Sequence, residues 1–187
     1  MRLILASASA DRRKVMDSLD IAYDVVPSRL NEKSIRNLDP RELVRLLSEA
    51  KAREVGSRCP GAVVVGGDLV VACCGKIYEK PTSLKEASMM LKSFSDSTVE
   101  VVSGLAVYDS SRSSMLSEVS VCELQFRKLD DSEIEAYVHS NSVLNFAGAF
   151  HVIGARMFST GKGDVSVLNG IQKKTLIGFL RKSGFVV

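Results

Sequence analysis

A strand that turns sharply into a helix limits what this chain can fold into. Residues 3–15 run from an apolar strand through small residues into a helix that begins with two arginines. Backbone N–H groups at a helix N-terminus lack intrahelical acceptors, and the helix dipole favours an anion there. Donors that suit phosphate oxygens lie in the same segment, at Ser7, Ser9, Arg12 and Arg13. The segment predicts a phosphate cradle; the alternative is that Ser9 only caps the helix and the arginines are solvated.

Composition narrows the class of protein. The chain has 187 residues, 45% of them hydrophobic, which is enough for one domain or two lobes that share a core. A net charge of +3 is too small to indicate a nucleic-acid partner. Four cysteines show neither zinc-ligand spacing nor a disulfide framework, which favours a cytoplasmic location. No apolar run reaches the roughly 18 residues of a membrane span, so no membrane partner is expected.

Hydrophobic periodicity and capping residues predict a mixed α/β fold. After the first strand and helix, we expect helices over about 40–58, 83–94, 130–139 and 168–182. We expect strands over 22–27, 62–65 resumed at 69–72, 76–78, and a hairpin of 99–108 with 115–126. The stretch 147–163 has no clear assignment. Because strands and helices do not alternate strictly, the expected architecture is a mixed twisted β-sheet flanked by helices, in a single domain over 1–187.

The carboxylate most indicative of chemistry is Asp68. It follows Gly66 and Gly67 inside an otherwise apolar strand, where a buried charge is costly unless it meets a cation, a metal or a substrate. A glycine at such a place lets another group approach the backbone closely. The alternative is a bulge that carries a solvated Asp68.

Three other residues are ordinary when each is considered alone. Glu32 lies in a polar loop, Lys51 could extend from its helix to solvent, and Lys80 lies in a turn. Together with Asp68 and the arginines they supply two carboxylates and several cations, as a magnesium triphosphate site requires. Cys73 and Cys74 are predicted to be a small hydrophobic pair, with redox reactivity as the alternative.

Eight short motifs follow one another along the chain: Leu5–Ser9, Arg12-Arg13, Asn31-Glu32, Lys51-Ala52, Val65–Asp68, Lys80-Pro81, Ser103-Gly104 and Ala147–Phe150. From end to end, this ordered set resembles the successive signatures of the Maf family of nucleoside triphosphate pyrophosphatases. The resemblance implies a two-lobed α/β fold with the site in a central cleft, similar to inosine triphosphate pyrophosphatase. It also implies hydrolysis of a nucleoside triphosphate between the α and β phosphates, a divalent metal cation (Mg²⁺ or Mn²⁺), a possible homodimer, and links to nucleotide-pool cleansing and septum formation.

The same resemblance assigns roles by position. Asp68 matches the proton acceptor that activates water, and Glu32 with Asp68 matches the metal-binding pair. The positions that contact the phosphates are matched by Ser7, Arg12, Lys51 and Lys80, and Arg13 belongs to the same cradle.

The residues that select the base depart from the family pattern. The stretches Asn145–Phe150 and Gly163-Asp164 resemble the branch associated with 7-methylguanosine triphosphate rather than the branch that hydrolyses thymidine and uridine triphosphates. The three specificity positions carry Asp11, Leu69 and Ile153, where tryptophan or arginine, glutamine or threonine, and glutamate or glutamine are usual. We therefore expect intact phosphate chemistry and an altered, modified or non-canonical base preference. The alternatives are a catalytically weak nucleotide-binding regulator of cell division and an enzyme for inosine or xanthosine triphosphate.

Overall fold

The computed structural model describes residues 1–37, 39–160 and 164–187, so Gly163 of the Gly163-Asp164 stretch lies outside the described residues. The strands in this part of the chain are β1 Arg2–Leu5, β2 Asp24–Val25, β3 Ala62–Cys73, β4 Lys76–Tyr78, β5 Thr98–Asp109 and β6 Ser114–Gln125. The α-helices are α1 Ala10–Asp17, α2 Pro40–Arg58, α3 Leu84–Phe94, α4 Asp131–Ser140, α5 Val152–Phe158 and α6 Lys173–Lys182. Short 3₁₀ turns cover Glu32–Ser34, Val143–Asn145, Ala147–Ala149 and Val165–Asn169.

The sheet is mixed, as the sequence predicts. Its strand order is β2-β1-β3-β5-β6, and β4 pairs with β3 outside this path. The first strand runs parallel to both neighbours, with Leu5 opposite Val25 on β2 and Val65 on β3. The pairing of β3 with β4 is antiparallel. A mixed sheet with six flanking helices in the described residues confirms the predicted fold class.

Three of the predicted elements have different bounds in the structure. The strand expected to break at Gly66 and Gly67 is continuous from Ala62 to Cys73, because close approach of other groups, and not a bulge, accounts for both glycines. The last helix begins at Lys173 and not near 168, because Gly170 has φ +71° and interrupts the helical backbone. In addition, the strand expected over 22–27 is reduced to two residues. The unassigned stretch after Phe146 contains a 3₁₀ turn and α5.

Residue contacts divide the chain into two compact units. The first unit comprises 1–68, 103–120 and 169–187. Its central strands are buried on both faces, so alternate residues enter two different apolar clusters. One face packs against Met16 of α1 and Leu176 of α6, and the other packs against Ala52 and Val55 of α2. This explains why residues 3–5, 62–65 and 105–107 are apolar at every position.

The second unit comprises 69–102 and 121–168. Its core is built around buried aromatic rings that meet edge to face, with Phe94 and Phe126 at 5.8 Å and Phe126 and Phe150 at 5.2 Å between centroids. Helix α4 begins with the predicted capping box, in which the Glu133 carboxylate accepts from the backbone N–H of Asp130 at 3.2 Å. The prediction of one domain over 1–187 stays a prediction.

Candidate functional site

A buried lysine joins the two predicted carboxylates in the first unit. Lys51 Nζ lies 2.6 Å from Asp68 Oδ1 and 3.0 Å from Glu32 Oε2. Asp68 is only 6% exposed and Lys51 only 7%, whereas the Glu32 side chain is 55% exposed. The alternatives of a solvated Asp68 and of a lysine that extends to solvent are therefore wrong. Two opposite charges attract each other far more strongly when they are buried than at the surface, because the surrounding dielectric constant is lower.

Two glycines bring Lys51 to Asp68. A side chain at Gly66 would collide with the carbonyl oxygen of Ser48, and one at Gly104 with that of Val44. Helix α2 therefore lies directly against β3 and β5. Lys51 is on the buried face of α2, next to Asp68 of β3. Ser103, which is fully buried, donates its hydroxyl to the backbone oxygen of Asp68 at 3.3 Å. The close packing therefore fixes both the backbone of Asp68 and the position of its partner Lys51.

Arg12 occupies a second enclosure in the same unit. A Cβ at Gly67 would lie 3.0 Å from Arg12 Nε, and one at Gly170 would lie 2.9 Å from it. The guanidinium donates from Nε to the Gly170 oxygen at 3.3 Å and from Nη1 to Ser7 Oγ at 3.1 Å. The backbone N–H of Ser9 also donates to Ser7 Oγ, at 3.2 Å. These contacts build the predicted strand, turn and helix segment around one arginine.

The charge of Arg12 is only partly compensated. Burial lowers the pKa of the Arg12 guanidinium, while the charges of Asp68, Glu32 and Asp11 raise it. Both hydrogen bonds of its side chain within the described residues go to neutral oxygens. A desolvated cation with neutral partners gains free energy when an anion binds beside it. This is the property that a phosphate site needs.

The residues on either side of Arg12 in α1 make different contacts. Arg13 is exposed, and its backbone oxygen accepts a hydrogen bond from the Tyr23 hydroxyl at 3.4 Å. The Asp11 carboxylate accepts from Lys14 Nζ at 3.1 Å. The structure therefore brings Arg12, but not Arg13, to Ser7. A ligand role for Arg13 stays a prediction.

A carboxylate that the sequence reasoning missed tethers the start of the loop that carries Glu32. Glu54 on α2 accepts from Ser28 Oγ and from the backbone N–H of Arg29, both at 3.0 Å, and from Arg58 Nε at 2.7 Å. These hydrogen bonds, above all the one from Arg58, lower the pKa of Glu54 to about 2. The sequence gives only a weak signal for this role of Glu54, namely its place beside the buried face of α2.

The second unit holds the remaining predicted residues. Lys80 is exposed between β4 and α3. The Gly148 N–H donates to the oxygen of Glu79 at 3.1 Å, so the Ala147–Phe150 motif supports the segment that carries Lys80. Leu69 is half-buried against the aromatic core, and Ile153 is 60% exposed. Binding and specificity roles for these residues stay predictions.

The donor set fits a hard divalent cation that shares its ligands with a substrate. Asp68 and Glu32 already hold one cation, the Lys51 ammonium, between carboxylate oxygens. Within residues 1–37, 39–160 and 164–187, no group of three or more acidic, histidine or cysteine side chains is placed to hold a metal. Mg²⁺ is commonly bound by one or two carboxylates together with phosphate oxygens and water. The site fits that mode and does not fit a cage built from protein ligands alone.

Comparison with known proteins decides the family. The model of Maf-like proteins matches residues 2–183. The chain belongs to the Maf family. A protein of Idiomarina loihiensis named 7-methyl-GTP pyrophosphatase is 37% identical over 187 residues, covering 97% of this chain and 94% of that protein. One of Geobacter sulfurreducens named dTTP/UTP pyrophosphatase is 33% identical, covering 98% and 97%. The family assignment made from the sequence is confirmed, and these names agree with the predicted enzyme class.

Solved structures support the fold of this Maf-family chain. A HAM1 protein from Coxiella burnetii superposes with a TM-score of 0.55 at 13% identity, covering 97% of this chain and 99% of that one. A protein from Vibrio cholerae gives a TM-score of 0.51 at 14% identity, covering 100% and 99%. At such low identity the likeness concerns the fold alone. None of the helices in the described residues combines the length and apolar character needed to cross a bilayer.

Proposed function

We propose that this chain hydrolyses a nucleoside triphosphate between the α and β phosphates to give a nucleoside monophosphate and pyrophosphate. The observation that carries the proposal is the buried contact of Lys51 with Asp68 and Glu32, close enough to Arg12 for their charges to interact. The names of the Maf relatives from Idiomarina loihiensis and Geobacter sulfurreducens support the same reaction class.

Asp68 is the proposed general base. Lys51 Nζ lies 2.6 Å from its Oδ1, and we assign to the same carboxylate the proton of the attacking water. Ser103 fixes the backbone of the same residue, so the carboxylate is oriented before substrate binds. A positioned general base typically contributes about a hundred- to ten-thousand-fold in rate. This contribution is large enough for its loss to be measured directly.

Basic and hydroxyl groups would bind the triphosphate. Arg12 and Ser7 are connected by a hydrogen bond of 3.1 Å, so their donors converge on one region of the first unit. Negative charge develops on pyrophosphate as it leaves, and fixed cations stabilise that charge. Lys51, Lys80 and Arg13 are the further cations that we propose for this role.

Asp68 and Glu32 would hold the divalent cation, Mg²⁺ or Mn²⁺. When bound, such an ion would neutralise phosphate charge and favour deprotonation of water. The Lys51 ammonium satisfies both carboxylates in the absence of the ion. We therefore expect metal binding to weaken the contacts of Lys51 with these two residues.

The base preference is proposed to differ from that of both named relatives. Asp11 is an acceptor in the first turn of α1, and it could accept from a ring or exocyclic N–H such as those of guanine. Leu69 and Ile153 offer no hydrogen bond to a base edge. We therefore propose a modified or non-canonical nucleotide whose base is none of 7-methylguanine, thymine and uracil.

A panel of triphosphates tests the proposal. Purified protein is incubated with 7-methyl-GTP, dTTP, UTP, inosine and xanthosine triphosphates in Mg²⁺ or Mn²⁺, and pyrophosphate and orthophosphate are measured separately. We expect pyrophosphate from at least one compound, without orthophosphate. Binding of the panel with no cleavage would favour the nucleotide-binding regulator of cell division. Highest turnover of inosine or xanthosine triphosphate would favour the alternative enzyme class.

Several wider predictions accompany this proposal. They are a cytoplasmic location, a homodimer, a part in nucleotide-pool cleansing and septum formation, and the absence of nucleic-acid and membrane partners. Sedimentation of the purified protein tests the dimer, and the division phenotype of a deletion strain tests the link to the septum.

A further inference from the structure

The turn between β3 and β4 carries two adjacent cysteines in an unusual backbone. Cys73 pairs with Lys76 across the hairpin, so Cys74 and Gly75 form the turn. Their φ angles are +50° and +73°, the combination for which asparagine followed by glycine is the usual sequence. A cysteine lacks the short polar side chain that stabilises positive φ locally. Backbone of this kind at a residue with reactive chemistry suggests a functional reason for that residue.

The two thiols differ in their surroundings. Cys74 is exposed, whereas Cys73 is 3% exposed and lies in the aromatic core cluster of the second unit. The prediction of a hydrophobic pair is therefore right only for Cys73. The Cys73 sulfur lies 3.6 Å from the Cys74 sulfur and 3.9 Å from the backbone oxygen of Ser93, so its single thiol hydrogen can donate to either. Burial, followed by the hydrogen bond with Cys74, raises the pKa of Cys73 to about 11.

We propose that Cys74 and Cys73 form a reversible two-thiol site that reacts with peroxide. The Cys74 thiolate attacks one oxygen of hydrogen peroxide, the O–O bond breaks, and the departing hydroxide takes up a proton to become water. The product is a sulfenic acid on Cys74. Cys73 then attacks the Cys74 sulfur, an S–S bond forms, the S–O bond breaks, and the proton of Cys73 leaves with the hydroxide as a second water. Two thiols are oxidised and one peroxide is reduced.

The assignment of roles follows from access. The exposed Cys74 sulfur can meet an oxidant in solvent, and it lies 3.6 Å from the Cys73 sulfur. The buried Cys73 cannot meet the oxidant directly, but its sulfur is already beside the sulfenic acid that Cys74 would become. A nearby second cysteine is the arrangement typical of redox-sensing thiols.

The pair favours redox chemistry over metal binding. Within the described ranges, no third acidic, histidine or cysteine side chain joins these cysteines in a potential metal cluster. Neighbouring Cα atoms are about 3.8 Å apart, which is shorter than the usual disulfide span of about 4.4–6.8 Å. A disulfide between adjacent residues is therefore strained, and strained disulfides are readily reduced. This favours a reversible site over a permanent crosslink.

Peptide mass spectrometry of the full chain tests the proposal. Reduced protein is treated with increasing concentrations of hydrogen peroxide, and free thiols are alkylated. The mass of the peptide that contains Cys73 and Cys74 is then measured. We expect this peptide to lose two hydrogens and to escape alkylation before Cys59 or Cys122 reacts. Dithiothreitol should restore both alkylation sites. Preferential oxidation of Cys59, or disulfides only between chains, would overturn the proposal.

Two variants separate the roles, and two others serve as controls. Cys73→Ser should leave a sulfenic acid on Cys74 that dimedone traps, whereas the wild-type chain should give at least tenfold less adduct. Cys74→Ser should leave Cys73 reduced. Cys59→Ser and Cys122→Ser should react as the wild type does. A long-lived dimedone adduct in the wild-type chain would refute the role of Cys73, and this measurement does not depend on whether a variant folds.

Discussion

Replacing Lys51 by methionine tests the electrostatics of the site. Methionine keeps an unbranched side chain of similar length, so the packing of α2 against the sheet is retained while the ammonium is lost. Asp68 then remains 6% exposed without its cation at 2.6 Å. Glu32 loses less, because its side chain is 55% exposed and can be hydrated. The cost is therefore dominated by Asp68.

The expected magnitude follows from the burial of Asp68. Removal of one partner from a buried ion pair costs about 3–5 kcal/mol. The charge of Arg12 also acts on Asp68 and offsets part of this loss. We therefore expect Lys51→Met to lower the free energy of unfolding by about 3 kcal/mol in EDTA. Urea titrations with a common m-value measure it.

Magnesium should then restore stability selectively. If Asp68 and Glu32 bind the ion, Lys51→Met presents them without the competing ammonium. At a Mg²⁺ concentration about a hundredfold above its Kd, mass action adds about 2.7 kcal/mol to the folded state. We expect a larger gain for Lys51→Met than for the wild type. In the Lys51→Met, Asp68→Asn double variant this gain should disappear.

A surface lysine supplies the matched control. Lys92 Nζ lies 2.9 Å from Asp131, but the two side chains are 47% and 79% exposed. Exposed pairs contribute about 0–1 kcal/mol, so Lys92→Met should stay within about 0.5 kcal/mol of the wild type. If Lys51→Met lowered the free energy of unfolding in EDTA by as little as Lys92→Met does, Lys51 and Asp68 would not form a buried pair. Mg²⁺ could also raise the free energy of unfolding equally in the wild type, in Lys51→Met and in the double variant. That result would show that the two carboxylates do not bind the metal.

Two further predictions concern Arg12 and Glu54. Gly67→Ala places a methyl group 3.0 Å from Arg12 Nε, so the guanidinium must shift and KM for the triphosphate should rise about tenfold. The control Gly178→Ala, where a Cβ meets nothing within 4 Å, should leave KM unchanged and stabilise α6 by up to about 1 kcal/mol; equal KM values for both variants would contradict the enclosure of Arg12. The pKa of Glu54 lies at about 2, below its ordinary 4.5, so its contribution to stability is present above pH 4.5 and is lost as pH falls towards 2. The difference in unfolding free energy between the wild type and Glu54→Gln should therefore shrink over that window, and a constant difference would contradict the tether.

Local signals predict much of the fold. Helix α2 begins and ends where the sequence predicts. It begins there because the Asp39 side chain accepts from the Arg41 N–H at 2.8 Å and proline occupies the first helical position. The close approach predicted at the glycines of β3 is confirmed, but the predicted break in the strand is wrong, because a glycine in a strand can mark either a bulge or a close approach. Contact with Ser48 of α2 decides between them, and that contact is distant in sequence.

The site is harder to predict for the same reason. The apolar neighbours of Asp68 indicate burial, but Lys51 looks like an ordinary lysine until α2 is packed against the sheet. The role of Gly170 is equally non-local. Its positive φ and its carbonyl contact with Arg12 bring together residues separated by 158 positions. No window of sequence contains that information.

The most direct test of the account is the turnover of Asp68→Asn on the best substrate of the triphosphate panel at saturating metal. Asp109→Asn is the matched control, because Asp109 is 5% exposed and accepts from the backbone N–H groups of Ser111 and Arg112 at the hairpin turn. If Asp68 activates water, kcat for pyrophosphate release should fall about a hundred- to ten-thousand-fold in Asp68→Asn, while the fold persists and Asp109→Asn keeps its turnover. A fall of less than about tenfold in a folded Asp68→Asn protein would contradict the account.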